Sequence, residues 1–299
     1  MPAASRGAPI FQGGPNVNIH PLSNVSAAAR LGVGVSVGAF ATIEADVELG
    51  DHCTVGSGAV LKSGVTAGPR NDFGEHCVIG GSPQHAGRPA QVGRVVIGEN
   101  NVFREFVTIH RALKPETATT VGDGNYVMAG VHFGHDCTIG SNAIFANCAL
   151  LGGHVTVEDR AFVSGAVAIH QFCRVGRLAM VGGHARVVQD IPPFMLIDGQ
   201  SGCVVGLNVV GLRRSGHTPD DIAALKTAYK VIYRRGLPWK DVLETLRTDF
   251  DRPVVGHVLA FLSTGNRGFV QERRAPPHPM LKLRVPEDET DPAIRVKAG

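Results

Sequence analysis

Residues 131–151, VHFGHDCTIGSNAIFANCALL, place an apolar side chain at every sixth position: Phe133, Ile139, Phe145 and Leu151. Four places after the first three stands a small residue, Cys137, Ala143 and Ala149. This period matches neither a helix, at about 3.6 residues, nor a simple strand, at about 2. Followed in both directions the phase runs from Ile19 to Val187, and only His85, Gln91 and Pro115 break it. Glycine often follows the apolar residue, as at Gly32, Gly50, Gly140 and Gly176. A self-similarity of six residues is the mark of a parallel β-helix.

The chain resembles the left-handed kind, a triangular prism of three hexads, about 18 residues, per coil. Successive coils then lie roughly 4.8 Å apart, the spacing of neighbouring strands. One aliphatic side chain per hexad points inward and stacks on its copy in the next coil, each burial stabilising by roughly 1.5–3 kcal/mol. The narrow interior accounts for the small residue at the other inward slot. Cys53, Cys77, Cys137 and Cys173 occupy that slot and are read as core filler.

Two stretches, 81–94 and 112–120, leave the pattern and must loop out of the prism, and the period ends at Val187. The solenoid is assigned to 17–200, behind a disordered extension, 1–16. Beyond it HTPDDIAALKTAYKVIYRRG reads as a helix, with Thr218 as N-cap and Pro219 first inside. LPWKDVLETLRTDF and RPVVGHVLAFLSTG suggest two more, giving a helical C-terminal domain over 201–271. The segment 272–299, rich in proline and acidic residues, reads as a disordered tail.

Composition narrows the function classes. A net charge of +3 over 299 residues does not imply nucleic-acid binding. No apolar run approaches the roughly 20 residues of a membrane span, and MPAASRGAPIFQGGPN lacks a signal-peptide core, so a cytoplasmic protein without stable membrane insertion is expected. Six cysteines without a close pair argue against a disulfide framework or a zinc ribbon.

Counting within the hexad locates the chemistry. The first and fifth residues face inward, and the third and fourth form the prism edge. His135 is third, Asp136 fourth, and His132 last in the preceding hexad, so all three face out. One coil on stand Gly153 and His154, and two coils on His170 and Gln171, so the edge over three coils carries His135, His154, His170 and Gln171. Polar edge residues need no function, and His20, His52, His76 and His184 have no such stack. The stacked set is read as a site. A zinc centre of the γ-carbonic-anhydrase type uses an HxxxxH pair, which His132-x-x-His135 does not match, so no metal is assigned. A general base is the better reading: an imidazole near its reference pKa of about 6.5 takes a proton from a sugar hydroxyl at neutral pH. An edge glycine such as Gly153 exposes an N–H to a developing oxyanion.

At GHDCTIG, LLGGHVTV, AIHQFCRVGRLAMVGG and LNVVGLRRSG, with FREFVTIHRA and NIHPLSNV, the chain resembles the bacterial UDP-N-acetylglucosamine 3-O-acyltransferases, the first enzymes of lipid A synthesis. The resemblance implies His135 as general base, Asp136 as its support and Gly153 as oxyanion donor. It implies that His132, His154, His170 and Gln171 bind or position substrates, and that Asn208 and Arg214 contact the nucleotide. It implies no cofactor, a homotrimer with sites between subunits, acyl carrier protein as donor and a UDP-amino sugar as acceptor. Gly183, after AMVG, is expected to leave the end of the acyl groove open to chains of about 12–14 carbons. Three departures touch the acceptor side. SPQHAGRP has His85 where the family places an aspartate and carries no lysine, which leaves Arg88 or, beyond it, Arg94 as the substitute. Val210 and Ser215 replace an acidic and a basic residue. Two alternatives therefore stand beside this reading: the same chemistry on a different nucleotide sugar, or a non-catalytic β-helix trimer.

Overall fold

The computed structural model describes residues 14–273. Two-residue strands recur every hexad and build three faces, sheets of 11, 9 and 8 strands, parallel except for one terminal pair. The result is a left-handed parallel β-helix. The strands hold the sixth and first residues of each hexad, as in His132–Phe133, which pairs in register with Leu150–Leu151, itself paired with Ala168–Ile169. From Leu31 onward the inward column is buried, with Phe73 stacked on Phe103 at 5.4 Å between ring centroids. The four slot cysteines are buried too, and desolvation pushes the Cys77 and Cys137 thiols up to about 12, so they stay protonated and inert.

The corners impose a backbone demand. The fourth residue of nearly every hexad adopts the left-handed conformation, as Asp136, His154 and Phe172 do at φ 59°, 60° and 66°. Outside glycine this region is uncommon, with Asn, Asp and His the usual exceptions. Glycine after the inward residue has a different cause. A Cβ on Gly152 would lie 2.8 Å from the Gln171 nitrogen of the next coil.

One inward column departs from the small-residue expectation. Asn71, Asn101 and Asn125 are buried and form a ladder: Asn71 Oδ1 accepts from the Asn101 backbone and side-chain amides, and Asn101 Oδ1 accepts from both Asn125 amides. Each amide replaces the water it lost with the next rung, which is what makes its burial tolerable.

Both excursions are present. Partners spaced by 18 residues in the regular coils are spaced by 30 and 24 across them. The second is shorter than expected, because Ala118–Val121 is a strand paired residue for residue with Arg94–Ile97. The solenoid also starts earlier and ends later than the period suggests. Gly14 N–H donates to Leu31 O at 3.0 Å, so residues 14–16 already belong to the first coil. Met195–Ile197 pairs with Met180–Val181 after the six-residue phase has ended, because the last coil is shortened.

The three expected helices are α2 (Pro219–Tyr233), α3 (Trp239–Thr248) and α4 (Pro253–Leu262), preceded by an unforeseen short α1 (Val209–Arg214). Thr218 caps α2 in a reciprocal capping box with Asp221. The helices enclose a second core of Leu212, Leu225, Val258 and Phe261 against Leu178 and Phe194 at the end of the prism. After α4 the chain returns as a strap: Val270 N–H donates to Asp190 O, and Arg273 N–H to Val204 O. Glu272 accepts from Tyr229 and Arg234, so the chain is still bound at 272–273, where a tail was expected. The rest of that tail and residues 1–13 lie outside the described residues. Among the described residues no helix is long and apolar enough to cross a membrane.

Candidate active site

The corner at His135 is built by the second excursion folding onto it. Asp136 Oδ2 lies 2.8 Å from His135 Nδ1 and also accepts the Leu113 N–H at 3.0 Å. Oδ1 accepts from the Thr117 hydroxyl at 3.2 Å, and the Asp136 N–H donates to Thr119 Oγ1 at 2.8 Å. A carboxylate held by this many donors stays an acceptor, so His135 keeps its proton on Nδ1 and presents Nε2 as the basic nitrogen. That nitrogen bonds nothing among the described residues.

The imidazole packs directly against Gly153. A Cβ there would come within 2.5–2.6 Å of Cε1 and Nε2, so only glycine fits beneath the ring. The Gly153 N–H has no backbone acceptor among the described residues, while its carbonyl accepts from Phe172. His154 crosses His135 edge-on at 5.1 Å, and Phe172 stacks on His154 at 4.5 Å. His135 is buried although it points out of the prism, because the loops cover it.

A ring of histidines surrounds the pair. His132 bonds Thr108 Oγ1 at 2.8 Å and meets His110 edge-on at 5.1 Å. Burial, then the neighbouring His110 and His135, push His132 down to about 4. His110 and His154 are lowered as well, chiefly by desolvation. These three are therefore neutral hydrogen-bonding groups at neutral pH. His85 stands edge-on to His135 at 6.1 Å, its Nδ1 accepting the Gly87 N–H, and with Ser82, Gln84 and Arg88 it lines a concavity of about 570 Å³. Arg94 lies in a strand and does not line it.

The expected site is thus partly assembled. His132, His135, Asp136, Gly153 and His154 come together. The ring above His154 is Phe172, whereas His170 turns its Nδ1 to Arg267 and the Gln171 carbonyl. Asn208 caps α1 by accepting from the Gly211 N–H and donates to Leu178 O, so one donor and one acceptor position of its amide serve the fold. Arg214 is exposed at the end of α1, and Gly183 sits on another corner, beside Gly165. A single chain does not bring these three to His135. Counting hexads missed His110, Thr117, Thr119 and Arg267, which reach the site from two strands, a loop and the strap; only His110, inside FREFVTIHRA, carried a signal.

His135, Asp136 and His154 each offer a ligand atom within 4.8 Å of the others, the spacing of a metal site. The donor set fits an acid–base pair better. A metal bound there would have to displace the Nδ1–H bond to a carboxylate whose oxygens already hold Leu113 and Thr117.

A hexapeptide solenoid with a supported histidine at its corner defines the hexapeptide-repeat transferases, and the family model for bacterial transferase hexapeptide (six repeats) matches residues 28–63 and 118–153. The model for domain 2 of UDP N-acetylglucosamine O-acyltransferase matches 190–270. The chain is 42% identical over 260 residues to the acyl-(acyl-carrier-protein)–UDP-N-acetylglucosamine O-acyltransferase of Paraburkholderia phytofirmans, covering 85% of this chain and 99% of the relative. It belongs to that O-acyltransferase family. Among solved structures, the UDP-N-acetylglucosamine acyltransferase from Campylobacter jejuni superposes with a TM-score of 0.80 at 33% identity, covering 86% of this chain and all (100%) of the other. The Arabidopsis enzyme gives 0.71 at 34% identity, covering 86% and 99%.

Proposed function

We propose that the protein transfers a (3-hydroxy)acyl chain from acyl carrier protein to the 3-hydroxyl of UDP-N-acetylglucosamine, the first step of lipid A synthesis, in the cytoplasm. The observation that carries the reading is the His135–Asp136 contact at 2.8 Å above Gly153. His135 Nε2 takes the proton of the sugar hydroxyl as its oxygen attacks the thioester carbonyl. Asp136 stabilises the imidazolium that forms. The Gly153 N–H faces the oxyanion of the tetrahedral intermediate. Collapse breaks the C–S bond, the ester remains on the sugar, and the imidazolium returns its proton to the leaving thiolate. The neutral His132, His110 and His154 surround the base without adding charge.

The working unit on this reading is a trimer, in which Asn208, Arg214 and Gly183 of one subunit meet the His135 corner of the next. The names of the relatives support the donor and acceptor. A second acceptor is favoured by His85 against His135 and by the absence of lysine from residues 81–94. Mass spectrometry of products from acyl carrier protein thioesters and a panel of UDP-sugars separates the two. A product only with UDP-N-acetylglucosamine supports the first reading, and one only with another sugar supports the second. No product with any sugar would leave a non-catalytic trimer.

A further inference from the structure

We infer that Arg267, on the strap after α4, is a positioning residue that selects the tautomer of His170 at the substrate edge. The inference rests on the proposed function only in taking His170 for a substrate contact. The strap is fixed without Arg267. Asp190 is 1% exposed, and its carboxylate accepts the Arg174 N–H and Nε, both at 2.8 Å. The rest of the Arg174 guanidinium donates to Phe261 O at 3.1 Å and to the Thr264 carbonyl and hydroxyl at 2.7 Å. Gly265, at φ +104°, makes room for it, since a Cβ there would stand 2.2 Å from Arg174 Nη2. Beyond that knot the Asp190 N–H donates to Gly268 O and the Val270 N–H to Asp190 O, each at 2.9 Å.

Arg267 is thus carried between two anchored points. Its Nη2 lies 2.9 Å from His170 Nδ1 and 3.4 Å from Val188 O. Its Nε is buried and bonds nothing among the described residues, so His170 is the best-placed partner of the guanidinium. A guanidinium only donates, so His170 Nδ1 must accept and the ring proton goes to Nε2. The competing acceptor is close: the Gln171 carbonyl lies 3.1 Å from the same Nδ1 and would hold the other tautomer. Arg267 decides between the two. The exposed His170 is left with an Nε2–H donor for an oxygen of the substrate, set by a residue 97 positions away.

The test is long-range proton–nitrogen NMR on histidine-labelled protein, with His170→Gln assigning the ring. In the wild type the His170 proton should reside on Nε2. Arg267→Gln, whose shorter side chain does not reach the ring, should move it toward Nδ1, and Arg267→Lys, which is longer and still donates, should keep it on Nε2. In turnover, Arg267→Gln and His170→Ala should each raise KM for the UDP-sugar by about tenfold, the loss of one hydrogen bond, with kcat within about threefold. The double variant should be no worse than either single. An unchanged His170 tautomer in folded Arg267→Gln, or losses that multiply in the double variant, would overturn the inference. A wild type with no transferase activity sinks the functional reading instead, and the tautomer result stands apart from it.

Discussion

The role proposed for His135 rests on little that lies in its own side chain. Its position comes from a corner, its tautomer from Asp136, and its seat from the missing Cβ of Gly153. Because it points out of the stacked core, His135→Ala should leave the melting temperature and oligomeric state unchanged while lowering kcat at least about 100-fold, the usual worth of a general base. Activity within about tenfold of wild type would remove His135 from that role. His132 makes a pH prediction. Its folded pKa is held down at about 4, below the free value near 6.5, so the unfolded chain binds the proton first. Its contribution to stability is therefore present above about pH 6.5 and is lost as pH falls toward 4. His110 and His154 are shifted in the same direction. Denaturant titrations across that window should show stability falling with acid, and His132→Gln should flatten the slope; equal slopes would refute it.

At the scale of the element, each coil is stable only through its neighbours, which bury its faces and pair its backbone. The asparagine ladder concentrates this dependence, since Asn101 both donates to Asn71 and accepts from Asn125. Asn101→Leu removes the middle rung and leaves buried amide groups short of partners, which should cost on the order of 1–3 kcal/mol. A chemical-denaturation midpoint matching the wild type would mean that the ladder contributes nothing net. The third and fourth positions of the same repeats point away from the stacked column inside the prism, so the corner is where the solenoid can host chemistry without loosening that column.

For the whole molecule, the prism and the helical region divide the work. Gly183 lies away from His135 within one chain, at an ordinary backbone angle, and a Cβ there would stand 3.4 Å from Gly165 O. Gly183→Met should thus fold, and in the proposed trimer it should shift preference to shorter acyl chains, at about 0.8 kcal/mol per methylene excluded. The same chain-length ranking in both proteins would place the groove elsewhere. The basic residues Arg213, Arg214, Lys226, Lys230, Arg234, Arg235 and Lys240 gather around α2. Arg234 is neutralised by Glu272 at 2.7 Å, so the groove that it lines with Leu207 and Tyr229 keeps Lys226 and Lys230 as its charges for an acidic carrier protein. KM for the carrier should rise steeply with salt, because exposed charges are screened beyond about 8–10 Å. A KM insensitive to ionic strength would exclude docking there.

The period of six made the solenoid, its inward column, the inert cysteines and both excursions legible before any coordinates, because in a one-dimensional repeat every residue's direction follows from its place in the hexad. The same counting put His135, Asp136, Gly153 and His154 on one corner. It failed wherever the chain leaves the repeat. His170 was placed on the column by arithmetic, yet its partner is Arg267, brought over by the strap. Thr117 and Leu113 hold Asp136 from a loop with no period, and the closing coil shortens after Val187. Local steric rules repeat along the chain and can be counted. A bond between residues 97 apart depends on how two separately packed cores meet, and no window of sequence contains that.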